Sequence, residues 1–305
     1  MKIEIEKISE KFGKKLLFNE KLSKYSWFNL GGPAKIFFKP DTLEQIKIFL
    51  KEVKDSYKIT CLGAGSNTLI RDGGFNGAVI KLSPKFSFVK LEKEEIIETG
   101  AATLDKTLSS FALENSISGF EFLSCIPGSI GGAIIMNSGC YGDEISSILH
   151  SVKTIDYQGV EKEFKRGEIQ LFYRGTNLPK DLIIISAKFK GKKKSREEIL
   201  NKMQEYIEKK KNSQPSKIKT CGSTFKNPDN KNKAWKLIKE SGCENVSFGK
   251  ASISTKHCNF FVNNGGATSN DIENLIRYVK KKVQQSHDIK LDLEIKLIGE
   301  AINND

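Results

Sequence analysis

Apolar residues at helical spacing predict five helices in this chain. A capping box, in which a Ser or Thr is followed three residues later by Glu or Gln, opens two of them, at Thr42 and at Ser195. Pro215 ends the second, and Gly242 ends a later one. The predicted helices span residues 42–53, 103–114, 195–211, 234–241 and 270–284.

Two of these helices show which face they bury. Thr103 is expected to cap the helix 103–114, whose apolar face would consist of Leu104, Leu108, Phe111 and Ala112. The helix 270–284 carries one apolar stripe made of Ile272, Leu275, Ile276, Val279 and Val283. Both helices are therefore expected to pack against a core.

Short β-branched runs between turn residues predict the strands, which cover residues 34–39, 58–62, 78–82, two pieces of 86–99, 151–156, 159–164, 182–189, 250–254 and 260–262. The closing segment 291–298 alternates apolar and polar residues and predicts one more strand, with Glu294 pointing away from the core. Strands and helices do not alternate regularly, so the order predicts a mixed α+β fold rather than a βαβ series. The main domain boundary is expected near Pro215.

Length and composition narrow the class of protein. A chain of 305 residues is expected to form two or three packed domains. No stretch approaches the apolar length of a membrane span, and residues 1–15 lack the apolar core of a signal peptide, so a cytoplasmic protein is expected. The six cysteines form no CxxC pair and the chain has three histidines, which favours reduced thiols and no metal site.

The formal net charge of +13 raises the possibility of a nucleic-acid partner. Nucleic-acid readers favour arginine, however, and only five of the fifty basic residues are arginines. Aromatic residues are not interleaved with the basic clusters as they are on single-strand binding surfaces. A solvated lysine surface, which would also attract an anionic small substrate, is the favoured interpretation.

Two glycine clusters are the first candidates for a binding site. Residues 63–67 (GAGSN) follow a strand, but Thr68 stands where a dinucleotide fingerprint has its third glycine, so this is not a Rossmann turn. Residues 124–133 (SCIPGSIGGA) form the second cluster, and its backbone amides could hold a pyrophosphate. Asn137 offers a donor and an acceptor to a ring edge. Either cluster could be only a turn, but together they suit an extended dinucleotide.

Two further loops carry candidate catalytic groups. Arg174 lies in an aromatic loop (FYRGTN), where it could hold a carboxylate or an enolate, or simply stack on Tyr173. Ser223 lies in the loop CGSTFKNP, where a serine is usually structural but can donate a proton. The tryptophans Trp27 and Trp235 are expected in the core, and His257 is expected to be a packing residue.

Taken in order along the chain, these segments resemble the UDP-N-acetylenolpyruvoylglucosamine reductase family, also called UDP-N-acetylmuramate dehydrogenases. The resemblance extends over nearly the whole chain. It is carried by FNLGGPA at 28–34, LGAGSN at 62–67, GFEFLSCIPGSIGGAIIMNSGCYG at 119–142, Tyr173-Arg174, CGSTFKNP at 221–228, residues 234–242, KHCNFFVN at 256–263 and LEIKLIGE at 293–300. The long glycine block and CGSTFKNP are the specific parts.

The resemblance implies a fold and two cofactors. The fold is an α+β FAD-binding fold of the vanillyl-alcohol-oxidase type in two subdomains, 1–83 and 84–192, followed by a C-terminal α+β substrate-binding domain, 193–305, whose last strand can return to the FAD domain. FAD is the bound cofactor and NADPH the hydride donor. The substrate is UDP-N-acetylglucosamine enolpyruvate, and neither nucleic acid nor membrane is a partner. The shorter form of the family is the better match.

The resemblance also assigns roles to residues. The catalytic residues would be Arg174, Ser223 and Glu294. Lys211 and Asn227 are candidate substrate contacts that the resemblance does not itself assign. The FAD contacts would be Gly63, Ala64, Gly65, Ser66, Asn67, Pro127, Gly128, Ser129, Gly131, Gly132, Asn137 and Gly142. Thr176, Ser138, Cys140 and the pair Cys258-Asn259 depart mildly from the family pattern. The alternatives that remain are another FAD-dependent oxidase or dehydrogenase of the same fold, acting on an alcohol or hydroxy acid, and a lysine-rich nucleic-acid-binding protein. The sequence does not settle the oligomeric state.

Overall fold

A computed structural model of the chain describes residues 9–302. Residues 1–8, which belong to the N-terminal segment predicted to lack a targeting signal, lie outside the described residues, as do residues 303–305. The strands in chain order are β1 (Leu16–Lys21), β2 (Pro33–Phe38), β3 (Lys58–Cys61), β4 (Thr68–Ile70), β5 (Phe75–Ile80), β6 (Val89–Lys93), β7 (Ile96–Gly100), β8 (Ile117–Ser118), β9 (Gly139–Cys140), β10 (Asp143–Glu144), β11 (Leu149–Asp156), β12 (Glu161–Lys165), β13 (Leu171–Phe172), β14 (Gly175–Thr176), β15 (Leu182–Lys190), β16 (Lys192–Lys193), β17 (Ser247–Phe248), β18 (Ala251–Ile253), β19 (Phe261–Asn263) and β20 (Lys296–Ile298).

The helices follow the predicted pattern closely. The α-helices are α1 (Leu43–Val53), α2 (Asp105–Glu114), α3 (Ile130–Ile135), α4 (Arg196–Ser213), α5 (Ala234–Glu240) and α6 (Ser269–His287). The Thr42 side chain accepts from the Gln45 N–H at the start of α1, and Ser195 and Glu198 cap each other at the start of α4. Both predicted capping boxes therefore begin helices, and the predicted helices and strands are confirmed apart from the differences given below.

The chain divides into two compact units. The first takes in the described residues up to Phe18, then Ile36–Ala64 and Gly77–Lys210. The second takes in Asn19–Lys35, Gly65–Asn76 and the described residues from Lys211 onward. The predicted three-part division of the chain stays a prediction.

The first unit is built on antiparallel pairing. Its five-stranded sheet has the order β12-β11-β15-β7-β6, and all neighbouring strands are antiparallel. The first-unit residues of β1, β2, β5 and β3 belong to a four-stranded sheet of that order, in which β3 and β5 are parallel. Helix α1 packs Ile46, Phe49 and Leu50 into the same core as Phe38, whose ring stacks on Phe49 at 4.2 Å between centroids. This core supports the loop that leaves β3.

The second unit joins helix α6 to short strands. All five residues of the predicted stripe on α6 are buried, in one core with Phe225, Phe261 and Leu291. Strands β17, β18 and β19 form an antiparallel sheet, and β20 pairs with β4 in parallel. The start of α6 is held by Asp72, whose carboxylate accepts from the Ser269 N–H at 2.8 Å, a contact that no local pattern shows. These elements fix β4 and the loop that precedes it.

Three predictions are wrong. Thr103 does not cap α2, because its hydroxyl accepts from the Phe88 N–H and donates to the Phe88 carbonyl. Leu104, predicted on the apolar face of this helix, is 54% exposed. Trp27 and Trp235 are 48% and 42% exposed rather than in the core.

The closing segment 291–298 is the third difference, since only β20 forms a strand there. The N–H groups of Glu294 and Ile295 both turn to the Thr224 carbonyl, so the backbone bends at that point. Leu293 makes only an isolated bridge with Phe225. Glu294 is therefore half-buried at a bend rather than on the outer face of a strand.

Across residues 9–302, no helix combines the length and the apolar character that crossing a membrane requires. The six cysteines, all of which fall in this range, are free thiols.

Candidate active site

The first residue of one predicted glycine loop, Gly63, lies beside the other predicted glycine loop in the first unit. Gly63 follows β3, and a Cβ atom added to it would lie 2.8 Å from the Ser129 Oγ, at the start of α3. The Lys81 ammonium donates to the Gly63 carbonyl, and burial lowers the pKa of Lys81. Gly63 and Ser129 are therefore neighbours, and the absence of a side chain at Gly63 makes room for the Ser129 hydroxyl.

The glycine block 124–133 offers fewer amides than its sequence suggests. The Ile130 N–H donates to the Thr103 carbonyl at 2.9 Å, and the Gly131 N–H donates to the Ala101 carbonyl at 3.0 Å. Fewer backbone amides of residues 124–133 can therefore bind a pyrophosphate than predicted, because the amides of Ile130 and Gly131 already donate to protein carbonyls. A Cβ at Gly131 would lie 3.3 Å from the Ala101 Cβ, so this glycine serves the packing of α3.

Arg174 occupies a strained backbone position in the first unit. Its φ is +56°, in the left-handed region that a non-glycine residue enters at a cost. One guanidinium nitrogen donates to the Gly139 carbonyl at 2.9 Å, and the guanidinium carbon lies 4.9 Å from the centre of the Tyr173 ring. The stacking of Arg174 on Tyr173, one of the two predicted alternatives, is thus present. A hydrogen bond also joins Arg174 to Gly139 in the glycine-rich stretch 119–142.

Asn137 also connects the glycine-rich stretch 119–142 to the loop that contains Arg174. Its side chain is fully buried, its Nδ2 donates to the Phe172 carbonyl at 3.1 Å, and its Oδ1 accepts from the Ser146 N–H at 2.9 Å. These contacts hold the strand that leads to Arg174. The predicted contact between Asn137 and a flavin ring edge stays a prediction.

Helix α4 carries an aromatic and cationic cluster that was not predicted from the sequence. The Tyr206 ring packs against the Tyr141 ring at a tilt of 34°, with 5.2 Å between ring centres, and the Lys209 ammonium lies 5.9 Å from both ring centres. The Tyr206 hydroxyl donates to Asp143 at 2.9 Å. Burial, and then this hydrogen bond, raises the pKa of Tyr206. The signal was present in the i, i+3 spacing of 206 and 209, but the partner hairpin β9–β10 is distant in sequence.

Ser223 and Glu294 come together in the second unit. Ser223 pairs with Phe260 in an isolated bridge, and the next residue, Thr224, accepts the Glu294 N–H at its carbonyl at 2.9 Å. The Glu294 carbonyl in turn accepts from the Asn67 side chain at 3.1 Å. Gly65 needs to be glycine, since its φ is +70° and a Cβ would lie 1.8 Å from the Tyr25 carbonyl oxygen. One predicted FAD contact, Asn67, is thus bonded to a predicted catalytic residue.

The predicted substrate contacts also have defined surroundings. The Asn227 Oδ1 accepts from the Ala234 N–H at 3.0 Å and so caps α5. The Lys211 carbonyl accepts from the Lys256 ammonium at 2.6 Å. His257 packs its ring edge-to-face on Phe260 at 4.8 Å, and burial lowers the pKa of His257. No group of three metal-ligating side chains exists within residues 9–302.

A buried carboxyl, that of Asp105, lies next to the glycine block 124–133. Asp105 is 1% exposed, and its N–H donates to the Gly128 carbonyl at 3.2 Å. Neither of its carboxyl oxygens has a hydrogen-bond partner, and burial raises its pKa from 3.8 to about 8. The carboxyl is therefore protonated at neutral pH.

Because the folded-state pKa of Asp105 lies above its unfolded value, its cost to stability is absent below pH 3.8 and grows as the pH rises towards 8. We expect Asp105→Asn to increase the free energy of unfolding progressively over this range, by about 3 kcal/mol more at pH 8 than at pH 5. Urea unfolding of both proteins at the two pH values measures this. An equal effect at pH 5 and pH 8 would mean that Asp105 is ionised in the folded protein.

Comparisons with known proteins agree with this geometry. A family model described as "FAD binding domain" matches residues 34–164, and one described as "UDP-N-acetylenolpyruvoylglucosamine reductase, C-terminal domain" matches residues 214–298. The UDP-N-acetylenolpyruvoylglucosamine reductase of Pelagibacter ubique is 48% identical over 297 residues, which cover 97% of this chain and 98% of that protein. The protein of the same name from Rickettsia bellii is 46% identical over 280 residues, 92% of each chain.

A solved structure extends the comparison to the fold. The crystal structure of UDP-N-acetylenolpyruvylglucosamine reductase from Thermus caldophilus superimposes with a TM-score of 0.81 at 32% sequence identity. The match covers 93% of this chain and 98% of that one. The predicted α+β FAD-binding fold with a C-terminal domain is therefore confirmed.

Proposed function

The chain belongs to the UDP-N-acetylenolpyruvoylglucosamine reductase family, and on this premise we propose that Ser223, Glu294 and Arg174 carry its reaction. The enzyme is a flavin-dependent oxidoreductase of peptidoglycan precursor synthesis, with FAD as cofactor and NADPH as hydride donor. It reduces the enolpyruvyl ether of UDP-N-acetylglucosamine to UDP-N-acetylmuramate. The observation that carries the residue roles is the bonded chain from Asn67 through Glu294 to the residue after Ser223.

The residues present fit FAD. A Cβ at Gly63 would meet Ser129, and one at Gly65 would meet the Tyr25 carbonyl, so these loops are shaped without side chains. We propose that the two loops hold FAD through Gly63, Ala64, Gly65, Ser66, Asn67, Pro127, Gly128, Ser129, Gly131, Gly132 and Gly142, with Asn137 as predicted. When bound, FAD supplies the hydride that the substrate receives.

Ser223 is proposed as the general acid. Hydride addition to the vinyl carbon moves negative charge onto the substrate carboxylate as an enolate, and the neighbouring carbon then needs a proton. The Ser223 hydroxyl lies on a half-buried turn after Gly222, whose φ of +78° admits the tight geometry. A serine hydroxyl is a weak acid, so a neighbouring group must stabilise the alkoxide that remains when Ser223 gives its proton to the substrate carbon.

Arg174 and Glu294 are proposed to stabilise that enolate. The Arg174 guanidinium provides a planar pair of donors that matches a carboxylate. The strained backbone of Arg174 indicates a position selected for function. Glu294 is half-buried beside Ser223's loop, where a protonated or proton-sharing carboxyl can donate to the developing charge. Lys211 and Asn227 remain proposed substrate contacts.

The domain division and location are proposed on the same basis. The proposed domains are 1–83, 84–192 and 193–305, and the separate matches at 34–164 and 214–298 support a boundary between residues 164 and 214. A cytoplasmic location is proposed because NADPH and UDP-sugars are substrates of that compartment.

An anaerobic assay with the purified protein tests the function. We expect a yellow protein whose flavin absorbance is bleached by NADPH and restored by UDP-N-acetylglucosamine enolpyruvate. Alcohols and 2-hydroxy acids serve as the controls for another oxidase of the same fold. Flavin that NADPH does not bleach, but that an alcohol or hydroxy acid does, would contradict the proposed reaction.

A further inference from the structure

We propose that Asn259 is a positioning residue for Ser223 and Glu294. This inference rests on the proposed function, because it concerns the geometry of the two residues assigned to proton donation and enolate stabilisation. Asn259 lies in the turn before β19 and is 3% exposed. It acts through the main chain next to Ser223.

The Asn259 side chain binds both backbone polar groups of Phe225. The Phe225 N–H donates to the Asn259 Oδ1 at 2.9 Å, and the Asn259 Nδ2 donates to the Phe225 carbonyl at 2.8 Å. The Asn259 main-chain carbonyl also accepts from the Thr224 N–H at 2.7 Å. Three hydrogen bonds therefore fix the two residues that directly follow Ser223.

The same two residues hold Glu294. The Thr224 carbonyl accepts from the Glu294 N–H at 2.9 Å, and Phe225 pairs with Leu293 in an isolated bridge. On the other side of Ser223, Gly222 has a φ of +78° and no atom within 4 Å of where its Cβ would be. The backbone is thus unconstrained by contacts at Gly222, before Ser223, and held by the three Asn259 hydrogen bonds after it. These three hydrogen bonds, called the clamp, therefore set where the Ser223 hydroxyl points.

The clamp needs one donor and one acceptor on the same flat group. An amide provides both at any pH, whereas a carboxyl provides both only when protonated. In an Asn259→Asp variant, burial raises the carboxyl pKa, so the protonated acid can replace the amide as the pH falls. The positioning role therefore predicts a rescue by protonation in this variant.

Asn263 provides a matched control in the same unit. It is 5% exposed, its Nδ2 donates to the Phe28 carbonyl at 2.8 Å, and its Oδ1 accepts from the N–H groups of Gly265 and Ala267 at 2.9 and 3.1 Å. Its side chain makes three hydrogen bonds, of which two are fully buried like the two of the Asn259 side chain, but none to residues 223–225. Its loss is expected to destabilise the unit without displacing Ser223.

The experiment compares Asn259→Ala and Asn263→Ala as FAD-loaded enzymes, in stopped-flow measurements of both half-reactions. We expect Asn259→Ala to slow flavin reoxidation by the enolpyruvyl substrate by about 10-fold to 100-fold, since small displacements of a reacting group have effects of that size. Flavin reduction by NADPH should be unchanged in both variants, and Asn263→Ala should reoxidise at nearly the normal rate. Equal slowing in the two variants would reduce Asn259 to a structural residue.

Two further measurements keep the test independent of folding defects. The reoxidation rate of Asn259→Asp relative to the unaltered enzyme should rise as the pH is lowered from 8 to about 6, where a buried carboxyl becomes protonated. A ratio that stays flat or falls would overturn the proposal. Amide hydrogen exchange of peptides covering 222–228 should be faster in Asn259→Ala than in Asn263→Ala, and the reverse order would contradict the clamp.

The outcomes also separate this proposal from the proposed function. Slow reoxidation in Ser223→Ala beside normal reoxidation in Asn259→Ala would reject the positioning role and leave the function intact. Normal reoxidation in Ser223→Ala would reject the role of Ser223, and the positioning role with it.

Discussion

Ser223→Ala is expected to leave flavin reduction by NADPH unchanged while slowing reoxidation by the enolpyruvyl substrate by about 10²-fold to 10⁴-fold, the usual contribution of a general acid. The hydroxyl is removed from a half-buried turn whose main chain is held by neighbouring residues rather than by the hydroxyl. The loop should therefore keep its shape, and the loss should fall on proton donation alone. Single-turnover kinetics of the two half-reactions measure it.

Thr220→Val is the matched control for Ser223→Ala. Thr220 lies in the same loop, and its buried hydroxyl has no hydrogen-bond partner, so the isosteric valine removes a hydroxyl at little cost. Both half-reactions should proceed normally in this variant. If Ser223→Ala impairs the two half-reactions alike, the serine supports FAD binding rather than proton transfer.

Local sequence patterns predicted the helices and strands well where residues within the element itself determine its structure. The apolar stripe of α6 and the capping boxes at Thr42 and Ser195 needed no information from elsewhere in the chain. Thr103 failed as a cap because the backbone of Phe88, fifteen residues earlier in the chain, binds its hydroxyl. Whether a capping residue caps therefore depends on competing partners that spacing does not reveal.

The candidate site shows the same limit. The glycine loops and Ser223 could be found from local chemistry, because loops without side chains and a serine after a glycine are visible in sequence. The bend at Glu294 could not, because it results from two N–H groups turning to the Thr224 carbonyl about seventy residues earlier. The contact between the Tyr206 and Tyr141 rings also joins segments far apart in the chain. Such pairings follow from tertiary packing, which periodicity does not encode.

Arg174 offers the second large effect, and its strained backbone makes the test sharper. Its φ of +56° suits glycine, so Arg174→Gly removes the guanidinium without adding backbone strain. We expect this variant to slow reoxidation by the enolpyruvyl substrate by about 10²-fold to 10³-fold, the cost of removing one preorganised group that stabilises an oxyanion. Arg174→Lys should recover only part of the loss, because an ammonium lacks the planar pair of donors.

Arg166 separates this role from a structural one, since it belongs to the same unit and also donates to backbone carbonyls, those of Ser146 and Ile169. Arg166→Lys should lower stability with little change in either half-reaction. If Arg174 acts on charge that develops in the substrate, millimolar guanidinium should restore part of the reoxidation rate of Arg174→Gly, because the added ion can replace the missing group. If its role were only to bond the Gly139 carbonyl, both half-reactions would decline together and guanidinium would rescue neither preferentially. The half-reaction that guanidinium restores therefore identifies the step at which Arg174 meets negative charge.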